Sequence, residues 1–380
     1  MDKTTKIFIG VAVLILVIGG IWYFSRSQQQ TADLSGPIKI GYIGPLSGPS
    51  AVLGMDAIKA IEIAVDDANA KSGDSDRKIK VIAEDDQYLT QKTVDAYNKL
   101  VNIDKVKIIL VSTYGGVFAI ADRAKQDGVL IIDPLDCNSD VAMIDKNVFC
   151  LATESESIGH SLADYAISQG KLKAGVLYST KDNFMSLVKD SFKQRYESGS
   201  GKIFEDNFLY TDSDFKTILT KMKANGVNVL VILGHDEQGI IMKQARDLGI
   251  TAQFLTTGTI TSPPAQEAAR GNAEGTVFAY WDADANNAIA KDFLQKFIAK
   301  VGRGPILPLT THPAYDTVKL LAEKILPSEN ENDIAGLKDK ILKVKNYQGS
   351  TGIINFGSDG AARIKESAWQ LVKGVPVKIK

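Results

Sequence analysis

Side-chain catalysis needs a nucleophile, acid or base held within hydrogen-bond reach of a second group, and this sequence offers few such sets. Its three histidines, His160, His235 and His312, stand outside any H-E-x-x-H pattern, and neither a G-x-S-x-G elbow nor a Walker A loop occurs. The segment "GYIGPLSG" (41–48) lacks G-x-G-x-x-G spacing, and proline here removes a backbone N–H that a phosphate cradle would use, which disfavours a nucleotide-dependent dehydrogenase. Asp85 and Asp86 in "AEDDQY" have metal-ligand chemistry, but adjacent carboxylates at a strand end more often serve a solvated turn or a helix cap. His235 precedes Asp236 in "LGHDEQG"; neighbouring side chains are poorly placed to face one another, so it is read as a cleft-wall or hydrogen-bonding residue. His160 falls on a helical face and reads as structural. No catalysis, metal or cofactor is expected.

Binding is a better account of the loops. "IGPLSGPSAVLG" (43–54) places three glycines, two prolines and two serines between an apolar run and an amphipathic one. A connection between strand and helix usually takes about 2–6 residues, so the excess suggests a surface built to meet something.

At 380 residues the chain is long enough for two cores. Lys and Arg (44) nearly cancel Asp and Glu (45), and no long basic run occurs, which argues against nucleic acid as a partner. The run Ile7 to Phe24 carries no charge and as a helix would span roughly 27 Å, close to a hydrocarbon core of about 30 Å. A cleaved signal peptide competes, but Trp22, Tyr23 and Phe24 suit a membrane interface better than a small-x-small cleavage site. An uncleaved single-pass anchor over residues 1–24 is expected, and the absence of a following cysteine excludes a lipoprotein anchor. Lys3 and Lys6 before the run, against Arg26 after it, favour a cytoplasmic N-terminus and an extracytoplasmic body. Residues 25–37 read as a flexible stalk. Cys137 and Cys150 then lie in an oxidising space, where they either bridge or stay as buried thiols.

From Ile38 onward β-branched runs alternate with helical periodicity. The first series is 38–43, 79–84, 106–112 and 129–133; the second is 174–179, 203–210, 227–233, 253–257 and 275–281, with helices over 184–196, 215–225 and 238–248. Nearly continuous apolar strands between helices predict parallel sheets covered on both faces, so the fold class is α/β with two doubly wound lobes. Ligands of such sheets bind beyond the carboxyl ends of the strands. That assigns the loops 45–49, 112–116, 133–140, 179–183, 234–237 and 256–262 to one cleft between lobes, a preferred place for a small ligand.

Several stretches, in order, carry a family likeness: "IGPLSGPSAVLGMDAIKAIEIAVDDANAKSG", "VLIIDPLDCNSDVA", "IMKQARDLGITAQFLTTG", "AEGTVF", "AYDTVKLLAEKI" and "YQGSTGIINFGSDG". From Ile38 to the C-terminus the chain resembles the leucine/isoleucine/valine-binding class of type I periplasmic binding proteins, the solute receptors of ABC importers. The resemblance implies two lobes joined by three crossovers, near Leu151–Glu154, Tyr280–Asp282 and Gly360–Ile364. Lobe 1 would be 38–153 with 281–360, and lobe 2 would be 154–280 with 361–380. It further implies that the loop carrying Ser47 and Leu53 approaches the ligand, with Leu53 either a cleft residue or ordinary core. Where the family holds a carboxylate with serines this chain has Thr113, Tyr114, Gly115 and Gly116. After the fourth strand it has Asp136, Cys137 and Asn138, and an Asp there would accept an ammonium or amide N–H, or repel a carboxylate. Phe184 and His235 stand at aromatic positions of lobe 2, while the acidic residue that usually pairs the amino group falls at or beside Gly258 and is missing. The expected function is an extracytoplasmic, monomeric receptor that presents a branched-chain amino acid, a related amino acid or an amide to an ABC permease. A ligand sensor signalling to a membrane partner is the alternative.

Overall fold

The computed structural model describes residues 36–379, apart from 49, 74–76, 181, 282, 283, 285 and 329. The run Ile7–Phe24, read as an anchor, and the stalk up to residue 35 lie outside the described residues. No helix among the described residues is long and apolar enough to cross a membrane.

The chain first builds β1 (Ile38–Gly44), α1 (Met55–Lys71), β2 (Ile79–Asp85), α2 (Thr90–Asn102), β3 (Ile108–Val111), α3 (Tyr114–Asp127), β4 (Leu130–Asp133) and β5 (Val148–Ala152). It then passes to α4 (Ser155–Ser168), β6 (Lys173–Ser179), α5 (Asn183–Ser198), β7 (Lys202–Phe208), α6 (Lys216–Ala224), β8 (Val229–Leu233), α7 (Glu237–Asp247), β9 (Gln253–Thr257), α8 (Pro263–Ala269) and β10 (Val277–Trp281). The remainder is α9 (Ala288–Val301), α10 (Pro308–Leu320), α11 (Ile334–Leu342), a small hairpin of β11 (Tyr347–Gly349) and β12 (Gly352–Ile354), then β13 (Ala361–Arg363), β14 (Glu366–Val372) and β15 (Val375–Lys378).

The first sheet runs β2-β1-β3-β4-β5-β13, with every neighbouring pair parallel. The second runs β7-β6-β8-β9-β10-β14-β15, so the same 2-1-3-4-5 winding occurs twice, as the two strand series implied. It differs from the expected all-parallel sheet at one edge, where β14 pairs antiparallel with β10 and β15 with β14. The hairpin turn Lys373–Gly374, both residues at positive φ, brings β15 straight back, which a parallel crossover could not do.

Alternate residues of each strand enter different cores. Ile40, Tyr42, Leu110, Ile132 and Phe149 meet α1, α9 and α10 on one face of the first sheet, while Ile43, Ile109, Val111 and Ile131 meet α2 and α3 on the other. In the second sheet Leu230, Ile232 and Phe254 face α6–α8, and Val229, Val231 and Leu255 face α4 and α5. Burial on both faces explains why these strands read as unbroken apolar runs.

Three passages link the sheets. Thr153–Glu154 leads from β5 to α4, a second passage follows Trp281, and Ile364–Lys365 leads from β13 to β14. Trp281 is the last residue of β10 in the second sheet, and Ala361–Arg363 hydrogen-bonds with β5 in the first. The sequence boundaries at 281 and 360 therefore move to follow Trp281 and Arg363. Ile364 N donates to Ala152 O at 2.8 Å, and Arg363 reaches Glu154 at 2.8 Å and Asp359 at 2.7 Å, so two of the passages are clasped together.

Candidate ligand-binding site

The opening glycine- and proline-rich loop is held by Asp85. Its carboxylate accepts from Leu46 N at 2.8 Å, Ser47 N at 3.2 Å, the Ser47 hydroxyl at 2.5 Å and Gln87 N at 3.0 Å. Asp86 accepts from Tyr88 N at 2.9 Å and the Thr93 hydroxyl at 2.8 Å. The adjacent carboxylates are thus loop fasteners, and among the described residues no cluster of His, Cys, Asp or Glu could hold a metal. Gly48 has φ +82°, as a sharp turn requires. At Gly54 a Cβ would sit 2.3 Å from Pro45 O, a backbone atom that cannot swing aside. Gly54→Ala is expected to destabilise the first lobe by about 1–3 kcal/mol through this overpacking, read as a lower denaturation midpoint; a midpoint equal to wild type would show that the loop has room to shift.

Between the lobes lies a cavity of about 50 Å³. The first lobe contributes Leu53, Tyr88, Leu135, Asp136 and Leu309; the second contributes Asp182, Phe184, His235, Gly258 and Glu366. Leu53 is 4% exposed and also packs with Leu135 and Leu307, so it belongs to the cleft wall and to a small local core together. Tyr88, at φ +61°, approaches His235 with ring centroids 6.4 Å apart, and Tyr114 approaches Phe184 at 6.3 Å. These two aromatic pairs bring the lobes together. A wider groove of about 720 Å³ on the first lobe, lined by Lys319, Glu323, Lys340, Lys343 and Lys345, holds none of the strand-end loops.

At the centre stands Asp182, the N-cap of α5. Its Oδ1 accepts from Met185 N at 3.2 Å, and its Oδ2 accepts from the Tyr210 hydroxyl at 2.7 Å and meets His235 Nε2 at 3.1 Å. Burial by itself would raise its pKa, but the His235 hydrogen bond and charge, with Tyr210, hold the carboxyl below the usual range. Burial would likewise lower His235, yet Asp182 raises it above its ordinary value. The two form a buried ion pair, leaving His235 Nδ1 without a partner.

The other carboxylates are unmatched. Asp136 is 3% exposed, and among the described residues its Oδ2 has no hydrogen-bond partner. Burial, then the charges of Asp133, Asp182 and Asp140, push its pKa well above the usual carboxylate range. Burial pushes Asp133 up to about 7, although its Oδ1 accepts from Leu135 N at 2.7 Å and Asp136 N at 2.9 Å. Burial pushes Glu366 up to about 8, and its Oε2 is buried without a partner.

Of the residues read from the sequence, the structure brings Leu53, Asp136, Phe184, His235 and Gly258 to the cavity. Others do not line it. Ser47 is turned onto Asp85. Tyr114 donates its hydroxyl to Asp140 at 2.8 Å, and Gly115 and Gly116 abut Thr90 and Thr93, because the third-strand loop closes on α2. Thr113 is buried beside Asp86. Asn138 accepts from Ser155 N at 2.6 Å, at the start of α4. Cys137 and Cys150 form a disulfide, which closes the question left open by spacing. His312 lies between Trp281 and Phe293, and burial lowers its pKa to about 3.

Sequence reading missed Tyr88 and Glu366 as cavity residues, and it assigned the loop 179–183 to the cleft without singling out Asp182. Asp182 carried a usable signal, since an Asp two residues before Phe184 and opening a helix is an N-cap in a strand-end loop. Around Gly258 the missing acid is replaced by a hydroxyl network: Thr257 and Thr259 hydroxyls lie 2.7 Å apart, and Gln238 bonds Thr259, Thr256 and Gly234.

Two α/β lobes of like winding around a cleft of strand-end loops define a class of ligand-binding proteins that close on their solute. A family model described as periplasmic binding protein matches residues 37–373, and the chain belongs to that family. It is similar to the Leu/Ile/Val-binding protein homolog 3 of Brucella melitensis, 26% identical over 327 residues, which are 85% of this chain and 88% of the relative. Among solved structures it is similar to the branched-chain amino acid substrate-binding protein LivJ of Streptococcus pneumoniae in complex with isoleucine, with 25% identity, a TM-score of 0.80 and coverage of 90% and 99% of the two chains. The leucine-binding LivK of Thermotoga maritima shares the fold at a TM-score of 0.83 and 22% identity, over 90% and 98% of the chains.

Proposed function

We propose that this protein is an extracytoplasmic solute receptor of an ABC importer that closes its lobes on a small polar molecule, with an amino acid or a related amide as ligand class. The reading rests most on one observation: a cavity walled from both lobes by loops at the carboxyl ends of strands, with buried polar groups inside. Contacts from both lobes make the closed state the tighter binder, so ligand shifts the population toward closure. The names of the relatives, Leu/Ile/Val-binding proteins and an isoleucine-bound receptor, support branched-chain amino acids as the first solutes to try. The run Ile7–Phe24 tethers the receptor beside its permease.

The test is a thermal-shift panel on the full chain in mild detergent, with the twenty amino acids, small amides, amines and carboxylates. A ligand at 100 times its Kd stabilises by about 2.7 kcal/mol, a shift of several degrees at most. Silence across the panel sinks the receptor reading.

A further inference from the structure

Among the described residues lining the cavity there is no lysine or arginine. Among the same residues the one group able to carry positive charge, His235, faces Asp182 at 3.1 Å and balances it. Asp136 and Glu366 remain. They come from opposite lobes, Asp136 from the loop after β4 and Glu366 from the first position of β14, and each holds a carboxylate oxygen without a partner. Both sit beside Thr153: Asp136 forms a parallel bridge with it, and Thr153 lines the cavity with Glu366. A buried carboxylate without a cation is costly, and two around one small cavity leave it short of positive charge and of N–H donors.

We propose that the solute of this cleft is a small organic cation, an ammonium or guanidinium compound without a free carboxylate, whose N–H groups bridge Asp136 of one lobe and Glu366 of the other. The inference rests on the cleft being the solute site and departs from the amino-acid class tried first: it keeps the amine and the amide and excludes the free carboxylate. Such a ligand supplies the donors that the protein lacks, and only a closed cleft presents both acceptors together, so the cation itself couples binding to closure. Leu53, Leu135, Phe184 and Met185 on the cavity wall receive its apolar body. The cavity, about 50 Å³, fits a compact molecule, since a single water needs about 10–15 Å³ on this measure. A free carboxylate on the same ligand meets like charge from both sides.

Proton linkage follows. Among the described residues, the groups facing the two carboxyls are Asp133, Asp140, Asp182 and Tyr88 around Asp136, and Glu154 beside Glu366, with His235 paired to Asp182 and Arg363 paired to Glu154 as the opposing charges. Burial pushes both carboxyls upward, so a cation that favours their ionised forms releases protons on binding and binds more tightly as pH rises toward 8.

The test is calorimetry on the full chain with a series matched in shape: valine, valinamide, isobutylamine and 3-methylbutanoate, with agmatine and guanidinium added. At pH 8 isobutylamine or valinamide is expected to bind at least about tenfold tighter than valine, the worth of one charge-assisted hydrogen bond, and 3-methylbutanoate not at all. Cation affinity is expected to fall about tenfold or more from pH 8 to pH 6, with proton release visible as a dependence of the heat on the buffer's ionisation enthalpy. Asp136→Asn and Glu366→Gln, if folded by circular dichroism, each lose the preference for cations; if either fails to fold, the wild-type series decides. Valine binding as tightly as both cations, or any binding of 3-methylbutanoate, overturns the proposal while leaving a solute receptor. Binding by none of the cationic probes overturns it as well, and if the wider amino-acid panel is also silent the receptor reading goes with it.

Discussion

Asp182→Ala is expected to destabilise the second lobe by about 3–5 kcal/mol, the cost of removing one member of a buried ion pair. Three things are lost together: the N-cap of α5, the acceptor of the Tyr210 hydroxyl, and the counter-charge of His235. Asp182→Asn keeps an oxygen for the cap, so it should fall between the alanine variant and wild type. The pair also gives stability a pH window. Asp182 is held below its ordinary value, so its share is present above the unfolded carboxylate range and is lost as pH falls through the folded value. His235 is raised above 6.5, so its share is full below pH 6.5 and is lost as pH rises through its folded value. Urea melts at pH 6 and 9 should therefore show the gap between wild type and Asp182→Ala narrowing at the alkaline pH, where His235 loses the proton that Asp182 holds on it. An alanine variant within 1 kcal/mol of wild type at pH 6 would mean that the pair contributes nothing net, which the handicap of desolvation allows for other buried pairs.

Breaking the disulfide ranks second. Cys137 and Cys150 are 13 residues apart in sequence, and closing a loop of that size in the unfolded chain is worth on the order of 3 kcal/mol. Cys150→Ser, or reduction of the wild type, is expected to lower stability by about that amount. The bridge also has a local effect. Cys137 donates its N–H to Thr153 O at 2.8 Å, and Cys150 sits in β5 opposite Asp133 of β4, so the bridge fixes the loop that carries Asp136 into the cleft. Solute affinity should accordingly weaken with the bridge cut, beyond what the loss of folded protein explains. A denaturation midpoint unchanged by reductant would show that the unfolded chain gains no freedom from the cut.

The strands that periodicity located include those buried on both faces, where β1, β6, β8 and β9 begin or end within two residues of their sequence reading, and the half-exposed edge strands β2 and β7. β5 (Val148–Ala152) was not called, and it follows a 3-10 turn and a tight loop that break any visible period. β13 has only three residues, and β14 mixes Glu366, Ser367 and Gln370 with apolar positions, so neither offers a pattern long enough to read. Asp136 and His235 could be placed at a cleft because they lie in loops that follow strands, whereas Leu53 and Phe184 are placed there only by the family resemblance.

Local sequence therefore determined which segments are strand or helix, that the plan is wound twice, and which loops gather at strand ends, since each of these depends on the burial pattern of one segment. The tertiary structure decided which side chains from those loops meet. Ser47 is drawn to Asp85 across β1 and β2, Asp182 takes His235 from 53 residues away, and Glu366 reaches the cavity from the last strands of the chain. Such partnerships depend on strand order and on how two lobes face each other, and no period in the sequence records a through-space distance. The charge of the cleft is a sum over residues brought together only by folding, which is why an amino-acid-receptor pattern in the sequence can enclose a cavity whose described lining carries more acidic than basic groups.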